Sequence, residues 1–473
     1  MSAQPEQDVW MRQGMVPTLR QQIQLIAKLS IPAILAEISS IAMQYIDAAM
    51  VGSLGGCATA AIGLVASTTW LFGGLCVSAA AGFSVQVAHL TGAGKFREAR
   101  DVLRQALIAA LVFGTLLSAV GVVISERLPI WLHGDIEIRA DASSYFFIYA
   151  CALPAAQLRQ TSGAILQCSG DLRTPSFLNI LMCGLDVVLN ALLIFPARAL
   201  LGFRLPGAGL GVAGAALGTA LAEGITAVLM LCALCFRSSR LRLEKGGAWH
   251  PNRRCLGTAV RLALPMALEH VVLCGAQITT TRIVAPLGTV AVAANSLAVT
   301  AESLCNMPGH GIGVAATTLV GQSIGANRRD MAKQFARLTV LIGAVVMTCA
   351  GGLMFVLAPA MFALLTPDLG IRALGVQVLR VEAFAEPLFA VSIVTAGALR
   401  GAGDTLVPSI LNLVSMWGIR ITLSLLLAPK LGLMGVWLAM CGELCARGIL
   451  FLMRLLRGRW LSHNTVFDNS NQK

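Results

Sequence analysis

The sequence predicts an all-α polytopic membrane protein: twelve transmembrane helices in two pseudo-symmetric six-helix lobes. Composition gives the membrane class. Hydrophobic residues make up 56% of the 473 and charged residues 12%, with a mean hydropathy of +0.77, against about 25% charged in a soluble domain. Length gives the helix count, since a span needs roughly 20 apolar residues to cross a core of about 30 Å, and a dozen spans with short loops use nearly the whole chain. Repetition gives the two lobes. Pro32 and Pro265, Leu54 and Leu287, Gly92 and Gly325, Gly170 and Gly403, Pro175 and Pro408, and Asn179 and Asn412 are all 233 residues apart. A duplicated bundle of this kind places a cavity between halves that rock against each other, which is how many transporters are built.

In chain order, residues 1–28 form a polar cytoplasmic segment. The first lobe, 29–236, holds spans at 29–52, 58–88, 104–125, 143–166, 176–197 and 210–236. The first of these is too long for a signal-peptide core and reads as a retained helix. A cytoplasmic basic linker, 237–257, follows with Gly246-Gly247 and Pro251, the composition expected between lobes. The second lobe, 258–456, holds spans at 258–284, 291–320, 334–358, 372–398, 407–428 and 432–456, and 457–473 is a cytoplasmic tail. The repeat slips after Asn179: Gly211-Val212-Ala213-Gly214 matches Gly432-Leu433-Met434-Gly435 at 221 residues. This places about 12 extra residues in the Pro196–Gly209 loop.

The net charge of +12 gathers at alternate helix ends, as in Lys95, Arg97, Arg100 and Arg104 after span two, and Arg454, Arg457 and Arg459 after span twelve. By the positive-inside rule both termini are cytoplasmic in a multi-pass protein of the plasma (inner) membrane, and the charge argues for lipid headgroups, not nucleic acid. The thirteen cysteines are scattered, and the Cys232–Cys235 pair lies inside a span, so neither a disulfide framework nor a metal site is expected. Thr91-Gly92-Ala93-Gly94-Lys95 lacks the spacing and context of a phosphate loop. No enzyme activity and no cofactor are expected, and transport draws on a gradient of H⁺ or Na⁺.

Ionisable side chains in mid-membrane are expensive and are functional candidates by default. Span one carries Glu37, Ser40, Gln44 and Asp47 on one helical face, and span five carries Asn179, Asp186 and Asn190 on another. Packed together, Asp47, Asp186 and Asn190 offer hard oxygen ligands for Na⁺ or partners for a protonated acid. The second lobe differs: Thr280 stands where span one has Asp47. Its candidates for the substrate cavity or for coupling are Glu269, His270, Gln277 and Arg282 in span seven, Glu302, Asn306 and His310 in span eight, and Glu382 and Glu386 in span ten. Arg420 of span eleven is placed to pair with either span-ten carboxylate. Each candidate also has a purely structural reading as helix–helix polar glue, which is the one preferred for Glu223 and Glu443. Pro32, Pro154, Pro265 and Pro387 interrupt their spans and permit bending.

The run from Ile31-Pro32-Ala33-Ile34 to Asp47-Ala48-Ala49-Met50-Val51-Gly52, together with Val320-Gly321-Gln322-Ser323-Ile324-Gly325-Ala326 and Gly397-Ala398-Leu399-Arg400-Gly401-Ala402-Gly403-Asp404, resembles the multidrug and toxic compound extrusion (MATE) family over about residues 25–455. The resemblance implies a V of two six-helix lobes and export of organic cations, drugs or other small toxic compounds against inward H⁺ or Na⁺, a monomer sufficing. It implies cation coupling for Asp47. On span five the family pattern of amide then acid is reversed here, Asp186 preceding Asn190. Glu269 lies about one turn before a family acid, and Phe389 stands near a family aspartate of span ten, with Glu386 the nearest acid. These departures favour coupling through the first lobe. The alternative is an exporter or flippase of a specific metabolite or lipid-linked substrate on the same fold. A receptor or scaffold would need an extramembrane domain.

Overall fold

The computed structural model describes residues 17–200, 203–244, 249 and 251–462. The N-terminal segment through residue 16, Gly246-Gly247 of the linker and the tail from His463 lie outside the described residues. Among the described residues the regular structure is helical apart from one hairpin. α1 spans Leu19–Gly52, α2 Gly56–Gly92, α3 Phe96–Ile124, α4 Ile136–Cys168, α5 Arg173–Leu193, α6 Gly211–Cys232, α7 Arg253–Val284, α8 Thr289–Gly325 and α9 Arg329–Leu365. These are spans one to nine. Span ten is two helices, α10 (Leu369–Ala383) and α11 (Glu386–Gly401). Span eleven is α12 (Leu406–Val414) and α13 (Thr422–Leu431) joined by a π-helical stretch, Ser415–Ile421, and span twelve is α14 (Leu433–Arg457). Among the described residues nine segments are individually long and apolar enough to cross a membrane. The polar α4, the small-residue-rich α8 and the broken α10–α11 make up the twelve.

The helices outrun their apolar stretches. α1 starts at Leu19, where Gln22 Nε2 donates to the Pro17 carbonyl at 3.0 Å and to Gln334 Oε1 at 3.2 Å. Pro32, Pro154 and Pro265 lie within continuous helices, so they do not break them. Pro387 stands in the first turn of α11, where its missing N–H has no helical partner to lose, and the break in span ten falls just before it. The extra residues of the first half form an antiparallel hairpin, β1 (Pro196–Leu200) with β2 (Phe203–Ala208), in place of the expected loop.

The chain divides into two compact units. One comprises residues 38–87 and 95–264, and the other holds the described residues up to Glu37, 88–94 and those from Pro265 onward. α1 therefore passes from one unit to the other between Glu37 and Ile38. In the first-half unit α4 packs along α3 and α6, and α5 along α6, around Phe72, Phe146 and Leu153. In the second-half unit α8, α9, α11 and α14 enclose Phe362, Trp437, Met440 and Leu444, and Trp437 Nε1 donates to Asn295 Oδ1 at 3.0 Å. The outward faces carry exposed Leu, Val and Ile such as Val123, Val356 and Leu426, the surface that lipid covers.

Inside the second-half unit the end of α2 crosses the end of α8 at two glycines from the repeat. A Cβ on Gly92 would overlap the Gln322 carbonyl, and one on Gly325 would overlap the His89 carbonyl. Close backbone approach is what small residues permit in membrane helices, and His89 Nε2 lies 2.9 Å from the Gly401 carbonyl beside the crossing. Gly92→Ala and Gly325→Ala should each destabilise the protein by about 2 kcal/mol, a typical overpacking cost, seen as a lower thermal midpoint in detergent. An unchanged midpoint in both would show that the helices can part without penalty.

Candidate functional site

Asp186 and Asn190 are one turn apart on α5, both fully buried, and α1 brings Asp47 against them half-buried. The Asn190 amide nitrogen donates to both carboxylates, to Asp47 Oδ1 at 2.9 Å and to Asp186 Oδ2 at 3.1 Å. The small-residue face of α6 makes the approach possible: a Cβ at Gly218 would overlap the Asn190 amide oxygen. Asp186 Oδ1 and Asn190 Oδ1 are buried without a hydrogen-bond partner. Two acids and one amide thus meet within a single unit, the arrangement expected if the polar faces of spans one and five pack together.

The other candidates of the first half separate from this centre. Glu37 belongs to the second-half unit, and Gln44 is exposed. Asn179 lies three turns from Asn190 on α5, and its Oδ1 accepts from Arg159 Nη1 of α4 at 3.1 Å. Arg159 in turn makes a two-pronged pair with Glu223 of α6, Nε to Oε2 at 2.7 Å and Nη2 to Oε1 at 3.0 Å. The planar guanidinium fork suits this geometry. Arg159 is absent from the residues singled out by sequence, although an arginine in mid-span is itself a signal. Glu223 has the structural partner expected of it.

The second-half unit contains a different arrangement. Glu269 of α7 accepts from Asn412 Nδ2 at 2.6 Å, from Ser409 Oγ at 2.7 Å and from Arg400 Nη2 at 3.2 and 3.3 Å. Neither Arg400, Ser409 nor Asn412 was assigned a role from sequence, though Asn412 is the repeat partner of Asn179. In each unit the equivalent asparagine closes an arginine–carboxylate pair. Thr280, at the position of Asp47, bonds only to the Ala276 carbonyl of its own helix, at 3.0 Å. His270 is half-buried, and Gln277, Arg282 and His310 are exposed.

Deeper in that unit, Glu302 accepts from Asn306 at 3.3 Å, and Glu443 pairs with Arg447 at 3.1 Å. Glu382 and Glu386 are fully buried, and none of their carboxyl oxygens has a hydrogen-bond partner. The expected pairing of Arg420 with one of them is not made. Its guanidinium, carried on the π-helical stretch, turns to the sulfurs of Met440, at 2.6 Å, and Met416, at 3.9 Å. No group of three or more His, Cys, Asp and Glu side chains placed to hold a metal ion occurs among the described residues.

A charge pair buried between helices is costly to break on one side only. Arg159→Leu should therefore destabilise the protein by about 3 kcal/mol, and the double variant Arg159→Leu/Glu223→Leu should recover most of that loss in the same thermal unfolding measurement. Additive losses would show that the pair is not coupled.

The MatE family model matches residues 32–192 and again 265–426, so it falls on both halves at the repeat spacing. The probable multidrug resistance protein NorM of Thermotoga maritima is 26% identical over 450 residues, covering 94% of each chain. Multidrug and toxin extrusion protein 2 of Mus musculus is 23% identical, covering 95% of this chain and 77% of its own. Among solved structures, a MOP superfamily transporter from Pyrococcus furiosus superposes with a TM-score of 0.86 at 20% identity, over 94% of this chain and 97% of that one.

Proposed function

We propose that this chain, which belongs to the multidrug and toxic compound extrusion family, is a secondary antiporter that exports organic cations, drugs or other small toxic compounds against an inward ion gradient, by alternating access between its two lobes. It acts as a multi-pass protein of the plasma (inner) membrane with both termini cytoplasmic, and a monomer suffices.

The observation that carries the coupling reading is the Asn190 amide, which presents its nitrogen to Asp47 and Asp186 together. Two carboxylates held this close repel when both are ionised, and a shared proton relieves the repulsion. Na⁺ would need the amide oxygen turned toward the acids, since hard cations take oxygen ligands. The geometry therefore favours H⁺, carried by Asp47 and Asp186 and positioned by Asn190. Glu269, with Arg400, Ser409 and Asn412 all directed at it, is fully engaged by its neighbours and serves the second lobe structurally. Arg159, Arg400 and Arg447 are each matched to a carboxylate, which favours cationic cargo over an anionic lipid-linked one.

In liposomes with an imposed H⁺ gradient, uptake of a fluorescent organic cation should occur in the wild type and fall at least tenfold in Asp47→Asn. An equal Na⁺ gradient should have little effect. Uptake driven by Na⁺ alone would reverse the ion assignment, and wild-type uptake in Asp47→Asn would move coupling to the second lobe.

A further inference from the structure

One turn beyond the Arg159–Asn179–Glu223 cluster, toward the basic ends of the helices, each of the three helices places a hydroxyl. Ser162 follows Arg159 by three residues on α4, Thr226 follows Glu223 by three on α6, and Ser176 precedes Asn179 by three on α5, which runs the opposite way. Residues three apart share a helix face, and the cluster shows that these three faces converge. The packing at this level agrees: a Cβ on Gly163 of α4 would lie 3.6 Å from Met230 Cε of α6 and 3.9 Å from Pro175 Cβ of α5. Ser162, Ser176 and Thr226 are 0–2% exposed, and none of their hydroxyl oxygens has a hydrogen-bond partner.

Three orphaned hydroxyls at one level in an otherwise apolar interior call for an explanation, because buried polar groups are almost always satisfied. Ordered water fits, since a buried water takes about three hydrogen bonds from groups of this kind. A metal cation does not, because the Arg159 guanidinium lies one turn away. We propose that this layer holds water and is the exit through which a proton leaves the Asp47–Asp186 centre for the cytoplasm. The Arg159–Glu223 pair stands at its inner edge. Ser176 is the fourth residue of α5, so the layer is one helical turn from the loop before α5, where Ser169 and Asp171 supply further polar groups beside Thr174 of the first turn. The transfer breaks and forms only O–H bonds: Asp186 yields its proton to water, and the three hydroxyls hold the next waters in line. This inference rests on the coupling reading given above.

The test uses the full chain in liposomes, with the triple variant Ser162→Ala/Ser176→Ala/Thr226→Val, the single variant Thr226→Ser and Asp47→Asn. Hydroxyl radicals generated by X-ray radiolysis label side chains beside bound water, and Met230, 1% exposed, reports on this layer. Met230 should be oxidised in the wild type and in Thr226→Ser, and at least fivefold less in the triple variant. H⁺-driven exchange of ethidium should fall at least tenfold in the triple variant, with ethidium binding unchanged, and Thr226→Ser should keep the wild-type rate. An unlabelled Met230 in the wild type, or equal labelling in the triple variant, overturns the water layer. Wild-type exchange in the triple variant, with Asp47→Asn inactive, overturns the exit alone. Wild-type exchange in Asp47→Asn overturns the coupling reading itself. Should the triple variant fail to fold, Ser162→Ala and Thr226→Val are read singly on the same two measurements.

Discussion

Inside a bilayer there is no water to satisfy a polar group, so every charge and amide must find its partner within the protein. That constraint organises the interior of both units. Each carries an arginine–carboxylate pair that a repeat-equivalent asparagine joins. Arg159 takes Glu223 and Asn179, while Glu269 takes Arg400 and Asn412. The carboxylates come from different helices, the last of the first half and the first of the second, so duplication preserved the amide and left each half to find its own acid.

What remains after these pairs are formed is unequal. In the first-half unit two acids, Asp47 and Asp186, are left with a single amide between them. In the second-half unit the position of Asp47 is a threonine bonded to its own helix. The surplus acids there, Glu382 and Glu386, sit apart from Glu269 and its three donors. Of the two copies, one thus has two acids sharing an amide and the other an acid on its first helix that is fully engaged. The architecture tolerates this because the helices of each unit pack against one another through small residues such as Gly218, Gly92 and Gly325, which leave the polar faces free to differ.

Much of this was legible in the sequence. The twelve spans, the repeat, and the polar faces that carry Asp47 on one helix and Asp186 and Asn190 on another all follow from apolar length and from spacing on helical faces. What spacing could not give was which faces of different helices meet. Asn179 shares a face with Asp186 yet turns to Arg159 because α4 lies beside it there. Glu37 shares a face with Asp47, but α1 changes units immediately after it. Arg420 lies on a π-helical stretch that nothing in its composition announces, and it bonds to methionine sulfurs where spacing predicts a span-ten carboxylate. The hairpin after Pro196 was hidden by the same limit: an insertion has a length in the sequence, and its pairing is decided by where the ends of α5 and α6 hold it.

The depth of the acidic centre has an electrical consequence. Asp186 lies fourteen residues along the 21-residue α5, well inside the hydrocarbon, so on the proposed coupling a proton resting there would have crossed only part of the transmembrane potential. A full crossing is worth about 2.3 kcal/mol per charge at 100 mV, and that drop is divided between arrival at the acids and departure toward the basic helix ends. On that proposal the two legs would respond separately to voltage, so a change in membrane potential would alter which of them limits turnover as well as how much work the cycle can do.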